Sequence, residues 1–373
     1  MSIRITVVAS YAPSLVNFRG SLIVTLEKMG AKLLLIAPEL TSKTIEPLQL
    51  KRAETIDLPM NRNGVNPFED LSTFYFLWKS LRKFSPDIVL TYTAKPVIYG
   101  TLAGYFARVP KLYALVTGLG SPFMDDSNIS KYTIFLTRYL YKIAMHCVTA
   151  SIFQNPDDEE TFREKKILPA SVPSYVVNGS GVDLKYFSRS PLPESASFLM
   201  MARLLVDKGV REYVAAARQI KLQHPQTRFL LAGPLDNNPT SISSDELQSW
   251  IDDSTVEYLG FLNDVRPAIS RCSVYVLPSY REGTPRSVLE AMSMGRAIIT
   301  TNTPGCRETV KDGVNGYLIP VRDVSALVSS MKDLFDPELR RQFGLASRSI
   351  AEEKYDVHKV NQQMLMAIGL NKC

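Results

Sequence analysis

The chain has 373 residues, 45% of them hydrophobic and 21% charged, with a formal net charge of +6. That length exceeds what one compact core usually serves and fits two domains of ordinary size. No apolar run approaches the length of a membrane span and no Lys/Arg-rich tract resembles a nucleic-acid-binding arm, so a membrane-spanning helix and a nucleic-acid partner are both disfavoured.

Strand-like apolar runs at residues 3–9, 33–37, 54–58, 87–91, 113–117 and 148–153 alternate with helical stretches at 19–29, 68–84, 97–107 and 132–145. Short apolar runs between amphipathic segments predict parallel strands with crossover helices, a doubly wound α/β domain over residues 1–180. The first run lacks the basic-then-apolar order of an export signal. Cys147, Cys272, Cys306 and Cys373 show neither metal-ligand spacing nor a disulfide framework, and both features favour the cytosol. The opening loop, 10–18, ends in Asn17-Phe-Arg19-Gly20 at a helix start. Lys95, in Thr93-Ala-Lys-Pro, and Thr117-Gly118 follow successive strands, at the ends where open α/β sheets bind ligands. Lys131, Arg138 and Lys142 fall roughly on one helical face near Phe135 and Tyr139, suited either to an anionic bilayer surface or to plain solvation. Residues 1–186 hold 21 Lys and Arg against 16 Asp and Glu, the remainder 22 against 21. A basic first half suits a phosphate-bearing partner or an anionic membrane.

Around 181–196 the pattern loosens into a Ser- and Pro-containing linker. It restarts at 197–202, with further strands at 228–232, 256–260, 274–278 and 297–301, giving a second domain over 197–354 and a last helical segment within 355–373. Directly after this domain's first strand, Arg203 and Lys208 stand five apart across a strand-to-helix turn, where both reach two adjacent phosphates. After the strand at 274–278 comes Arg281-Glu-Gly283-Thr-Pro-Arg-Ser-Val-Leu-Glu290. Thr284 is placed to cap a helix with Pro285 in its first turn, and a helix start of that kind suits an anion. Glu282 before it and Glu290 on it flank the same position. Neither half contains G-x-G-x-x-G, so a nicotinamide-dependent dehydrogenase loses its main support, and no Asp-x-Asp is present to hold a divalent ion.

The two glutamates behind a strand, with seven residues between them, resemble the motif of the retaining nucleotide-sugar glycosyltransferases of family 4, which have the GT-B fold. The resemblance covers most of the chain and is densest from 198 to 320. It implies an α/β architecture of two Rossmann-like domains facing across a cleft, with a last helix that crosses back to the first. In that family Glu282 meets hydroxyls of the transferred sugar and Glu290 the ribose of a UDP-sugar. Gly283, Thr284 and Pro285 line the donor, Gly260 and Phe261 its nucleobase, and Arg203 and Lys208 offset the diphosphate without a metal. Retention is described as front-face attack, needing no protein nucleophile. Many members carry paired glycines in the opening loop; this chain keeps Gly20 and puts Arg19 beside it. That leaves Arg19 facing donor or acceptor, or simply exposed. Gly118 stands where relatives often carry a His beside the reacting sugar. Asn17, Arg19, Gly20, Lys95, Thr117 and Gly118 are the acceptor-side candidates. The branch most similar builds bacterial surface glycans, such as capsule and O-antigen, on undecaprenyl diphosphate. It implies a peripheral enzyme on the inner face of the cytoplasmic membrane and an N-acetylhexosamine donor. A soluble acceptor, or a non-catalytic nucleotide-sugar-binding subunit, are the alternatives.

Overall fold

The computed structural model describes residues 2–61, 66–120, 123, 130–236, 238 and 240–370; Ser121 and Cys373 lie outside them. The chain divides into two compact units, Met1–Ser180 with His358–Cys373, and Gly181–Val357.

The first unit is built on β1 (Arg4–Val8), β2 (Lys32–Ala37), β3 (Ala53–Asp57), β4 (Ile88–Tyr92), β5 (Lys111–Val116), β6 (Ala150–Phe153) and β7 (Ser174–Val176). They pair in parallel in the order β3-β2-β1-β4-β5-β6-β7. The helices are α1 (Ala12–Asn17), α2 (Gly20–Lys28), α3 (Ser42–Ile45), α4 (Pro67–Phe84), α5 (Thr101–Phe106), α6 (Lys131–Met145) and α7 (Pro156–Glu164). Strand β2 shows why the sequence chooses this arrangement: Leu33–Ala37 are all buried, as an unbroken apolar run must be when helices cover both faces of a sheet. One face, with Val7, Leu33, Leu35 and Leu90, packs on Leu22, Ile23 and Leu26 of α2. The other, with Val8, Leu34, Ile36 and Val89, packs on Leu77 and Leu81 of α4 and Ala103 of α5. Farther along that face, Ala114 and Val116 meet Tyr141 and Met145 of α6. Helices α4, α5 and α6 thus form one layer. Helix α4 starts sharply because Asn66 caps it, Pro67 opens it, and Glu69 and Asp70 complement its positive end.

The second unit contains β8 (Ser197–Met201), β9 (Arg228–Ala232), β10 (Glu257–Tyr258), β11 (Val274–Leu277), β12 (Ala297–Thr301) and β13 (Gly316–Ile319). They too are parallel, in the order β10-β9-β8-β11-β12-β13. Around them lie α8 (Val210–Gln223), α9 (Ser244–Asp252), α10 (Arg266–Ser270), α11 (Arg286–Ser293), α12 (Val324–Asp333) and α13 (Pro337–Lys354). The last helix, α14 (Val357–Ala367), returns to the first unit, where Met364 and Ile368 are fully buried against the α2 side of its sheet. In each sheet the winding direction reverses once, between β1 and β4 and between β8 and β11. Such a switch point leaves a crevice at the carboxyl ends of two adjacent strands.

Several local expectations change. The opening loop is largely helical, because Ala12–Asn17 form α1 with Pro13 in its first turn. Residues 181–196 are folded into the second unit rather than spanning a gap: Val182 and Phe187 join its core. Tyr355 is also buried there, so the chain leaves that unit at Val357. Helix α11 begins at Arg286, and Pro285 is its N-cap with no side-chain cap hydrogen bond. Thr284 therefore does not cap it, since Pro285 is still extended at ψ 108° and the helical backbone starts one residue later.

Candidate active site

At the switch point of the second sheet, two loops are locked into one another. After β8 the chain makes a single 3₁₀ turn, Val206–Lys208, closed by Gly209 with φ 75°. A Cβ on Gly209 would lie 2.2 Å from the Pro278 carbonyl oxygen, so only a glycine lets this turn lie flush against the end of β11. The Asp207 carbonyl accepts from the Tyr280 N–H at 2.8 Å and from the Ser279 hydroxyl at 3.2 Å. These contacts carry Lys208 Nζ to within 2.7 Å of Glu282 Oε1, which also accepts from Ser279 Oγ at 2.9 Å. From the far side, the Glu282 N–H donates to the Pro304 carbonyl at 3.1 Å. Gly305, at φ 78°, presses so closely that a Cβ would meet the Glu282 and Gly283 carbonyl oxygens at 2.3 and 2.4 Å. Glu282 is thus fixed by backbone on both sides.

The electrostatics follow from this packing. Burial works against the Lys208 ammonium, but Glu282 and Asp207 beside it outweigh burial and hold it above the ordinary lysine range. Arg203 is near enough to oppose that charge; it is exposed and bonds Asp236 Oδ2 at 2.9 Å. Glu290, on α11, accepts from Arg286 Nε at 2.9 Å. Burial lifts its carboxyl above the usual range, partly opposed by Arg286. Gly260 follows β10, its carbonyl accepting from the Gly233 N–H at 2.9 Å, and Phe261 beside it is exposed. Gly283 and Pro285 are buried and Thr284 half-buried between Glu282 and α11.

The first unit's switch point is also polar. Thr93, after β4, donates from Oγ1 to Ser10 Oγ, after β1, at 2.7 Å. Arg19 is 3% exposed, so it is no surface arginine; its guanidinium lies 5.7 Å from the Tyr92 ring centre, and the Tyr92 hydroxyl pairs with Ser14 at 2.8 Å. Gly20 opens α2, and Asn17 is exposed at the end of α1. Lys95 precedes a π-turn, Pro96–Gly100, and donates to Asp70 Oδ1 of α4 at 2.8 Å, while Tyr99 donates to Oδ2 at 2.7 Å. Thr117 and Gly118 are half-buried just past β5. On α6, Lys131 and Lys142 are exposed, whereas Arg138 turns its guanidinium to 5.3 Å from the Phe123 ring centre.

With this geometry established, comparison with known proteins is decisive. Residues 11–155 match the model of the glycosyl transferase 4-like family and residues 195–336 that of glycosyl transferases group 1. The chain belongs to the group 1, family 4-like glycosyltransferases. It is 29% identical, over 97% of each chain, to a Campylobacter jejuni protein, N,N'-diacetylbacillosaminyl-diphospho-undecaprenol alpha-1,3-N-acetylgalactosaminyltransferase. It is 27% identical to the Escherichia coli UDP-Gal:alpha-D-GlcNAc-diphosphoundecaprenol alpha-1,3-galactosyltransferase, over 76% of this chain and 75% of that one. Anabaena HepE, solved with UDP and glucose, superposes with a TM-score of 0.78 at 17% identity, covering 98% of this chain and 99% of that one. The glycosyltransferase accordingly has the GT-B fold, each unit one of its two α/β domains.

Three residues that brace the Lys208–Glu282 pair had no signal in the sequence. Ser279 reads as the end of a strand. Tyr280 donates from its hydroxyl to Glu212 Oε1 of α8 at 2.6 Å and is pushed up to about 12 by burial and that bond. A glutamate in a first helical turn reads as a dipole partner, but Glu212 holds the loop that holds Lys208. Its Oε2 is buried without a hydrogen-bond partner. Tyr280→Phe would strip Oε1 as well, so urea unfolding is expected to show a loss of about 1–3 kcal/mol. Adding Glu212→Gln, which removes the buried charge, should recover most of it; unchanged stability in the single variant would show that the bond has no structural weight.

Proposed function

We propose that this transferase moves an N-acetylhexosamine, with retention of anomeric configuration, from a UDP-sugar to a saccharide carried on undecaprenyl diphosphate. The reaction would take place at the inner face of the cytoplasmic membrane during assembly of a bacterial surface or protein-linked glycan. The observation that carries the reading is the direct Lys208–Glu282 contact at the second sheet's switch point. A diphosphate-binding cation and a hydroxyl-binding carboxylate 2.7 Å apart suit the junction between a sugar and its phosphate. The names of the Campylobacter and Escherichia relatives, both acting on diphospho-undecaprenol-linked saccharides, support the acceptor class.

In this reading the second unit holds the donor. Lys208 and Arg203 meet the diphosphate, Glu282 orients the sugar hydroxyls, and Glu290 accepts from the ribose. Gly283, Thr284 and Pro285 complete the phosphate side, and Gly260 with Phe261 meets the uracil. The bond from the anomeric carbon to the β-phosphate oxygen breaks as the acceptor oxygen bonds to the same face, and the acceptor's proton passes to the departing phosphate. Fixed cations lower this barrier by stabilising charge that grows on the leaving group, so no metal is needed. A chelator should leave activity intact; inhibition reversed by magnesium would contradict this. The first unit takes the acceptor, with Arg19, Lys95, Thr117 and Gly118 around its strand ends.

Glu290 gives the reading a pH signature. Its raised pKa means that the carboxylate takes up a proton at a higher pH than an ordinary glutamate, and only the ionised form accepts from both ribose hydroxyls. Donor KM should therefore rise as pH falls through that raised value, and Glu290→Gln should show a high, flat KM. A profile unchanged by the substitution would remove Glu290 from the ribose. The test of the whole assignment is a panel of UDP-sugars offered against a lipid-diphosphate sugar, with the new linkage read by NMR. Turnover with soluble acceptors alone would overturn it.

A further inference from the structure

The outer side of the layer formed by α4, α5 and α6 carries an unusual amount of exposed aromatic surface. On α4, Phe68, Leu71 and Tyr75 are 85%, 65% and 58% exposed, and their spacing of three and four sets them on one stripe. The stripe continues with exposed Lys79 and Arg82. On α6, Tyr132, Phe135 and Tyr139 are 73%, 66% and 52% exposed, and Phe135 and Tyr139 stack at 6.1 Å. Tyr105 and Phe106 at the end of α5 are exposed between them. The sequence shows the basic residues of α6; it does not show that the α4 aromatics face outward, because a Phe/Tyr/Trp-rich helix reads as core.

We propose that this layer is the face on which the protein rests against an anionic lipid bilayer, with the aromatic stripes of α4 and α6 at the headgroup level. Three observations choose a bilayer as occupant. Aromatic side chains flanked by lysine and arginine form the composition of an interfacial helix face. Helix α6 exposes Lys131 and Lys142, with Arg138 half-buried against Phe123, and carries no acidic residue, matching a negative surface. The acids on α4 are in its first turn, and Asp70 is taken by Lys95 and Tyr99. Among the described residues no helix is long and apolar enough to cross a membrane, so contact is lateral. The inference rests on the lipid-linked acceptor proposed above, and it deepens that reading by naming the face involved.

The experiment uses the full chain with phosphatidylglycerol-rich and purely phosphatidylcholine vesicles. The wild type should co-sediment with the former and much less with the latter. Serine at Phe68, Leu71 and Tyr75 together, or at Tyr132, Phe135 and Tyr139 together, should each reduce partitioning roughly tenfold or more. UDP affinity by calorimetry should be unchanged, which also reports folding. Vesicle binding untouched by both triple variants would overturn the proposal, as would a wild-type dimer that those variants dissociate. A wild type that ignores vesicles yet glycosylates a short-chain, water-soluble diphosphate-saccharide would overturn the docking face while leaving the acceptor reading intact. Vesicle binding lost in the variants, with no lipid-diphosphate acceptor ever used, would uphold the face and sink the acceptor.

Discussion

Glu282→Gln is expected to lower kcat by about two to three orders of magnitude without weakening UDP binding. The carboxylate is held by Lys208 and Ser279 and its backbone N–H by the Pro304 carbonyl, so the amide fills the same space and the fold survives. What disappears is the anionic acceptor proposed for the sugar hydroxyls and the partner that keeps Lys208 charged. In the proposed donor mode UDP brings negative charge to Lys208, so calorimetric affinity should hold or rise once the neighbouring carboxylate is gone. A second signature follows from the sign of the lysine's shift. Burial alone pulls that ammonium down, and Glu282 is the largest influence raising it. Without Glu282 the proton leaves at lower pH, and residual activity should fall as pH rises where wild-type activity does not. Wild-type turnover would place Glu282 outside the reaction.

Lys208→Gln should be nearly as damaging, for two separable reasons. It removes the fixed charge proposed to face the leaving group, worth about 10²–10³ in rate for a well-placed donor. It also leaves Glu282, 19% exposed, without its cation, and breaking a buried pair from one side costs about 3–5 kcal/mol. The Lys208→Gln, Glu282→Gln double variant distinguishes them: stability by urea unfolding should largely return, while activity should not. Rates recovering together with stability would show that the pair only holds the fold. Arg203→Ala should do less, about tenfold or 1.4 kcal/mol of barrier, because its side chain is 41% exposed and already shared with Asp236.

The parallel sheets were legible because a strand buried on both faces leaves an unbroken apolar run, as at Leu33–Ala37, and because each run is followed by a helix-period segment. The candidate site was legible in its parts. Lys208 and Glu282 each stand one turn past a strand, and a sheet order that sets β8 beside β11 brings residues 74 positions apart into contact. What stayed hidden depended on tertiary packing. The sequence leaves Arg19 facing donor, acceptor or solvent, and only its burial beside the Tyr92 ring removes the last of these. Residues 181–196 look like a linker because the strand–helix alternation lapses and Ser and Pro recur there, yet two side chains, Val182 and Phe187, anchor them. Thr284 has the chemistry of a cap but precedes a proline whose backbone delays the helix.

The return of α14 to the first unit has a consequence for how the molecule is made. The chain enters and leaves the second unit side by side, with the Val182 N–H bonded to the Tyr355 carbonyl at 2.8 Å and the Val357 N–H to the Val182 carbonyl at 3.0 Å. The second unit is thus an uninterrupted segment, Gly181–Val357, whose core draws only on residues within that span. The half synthesised first must wait, one side of its interior unsealed, until the final helix has been translated. A premature stop just before Val357 would therefore spoil the beginning of the protein rather than its end.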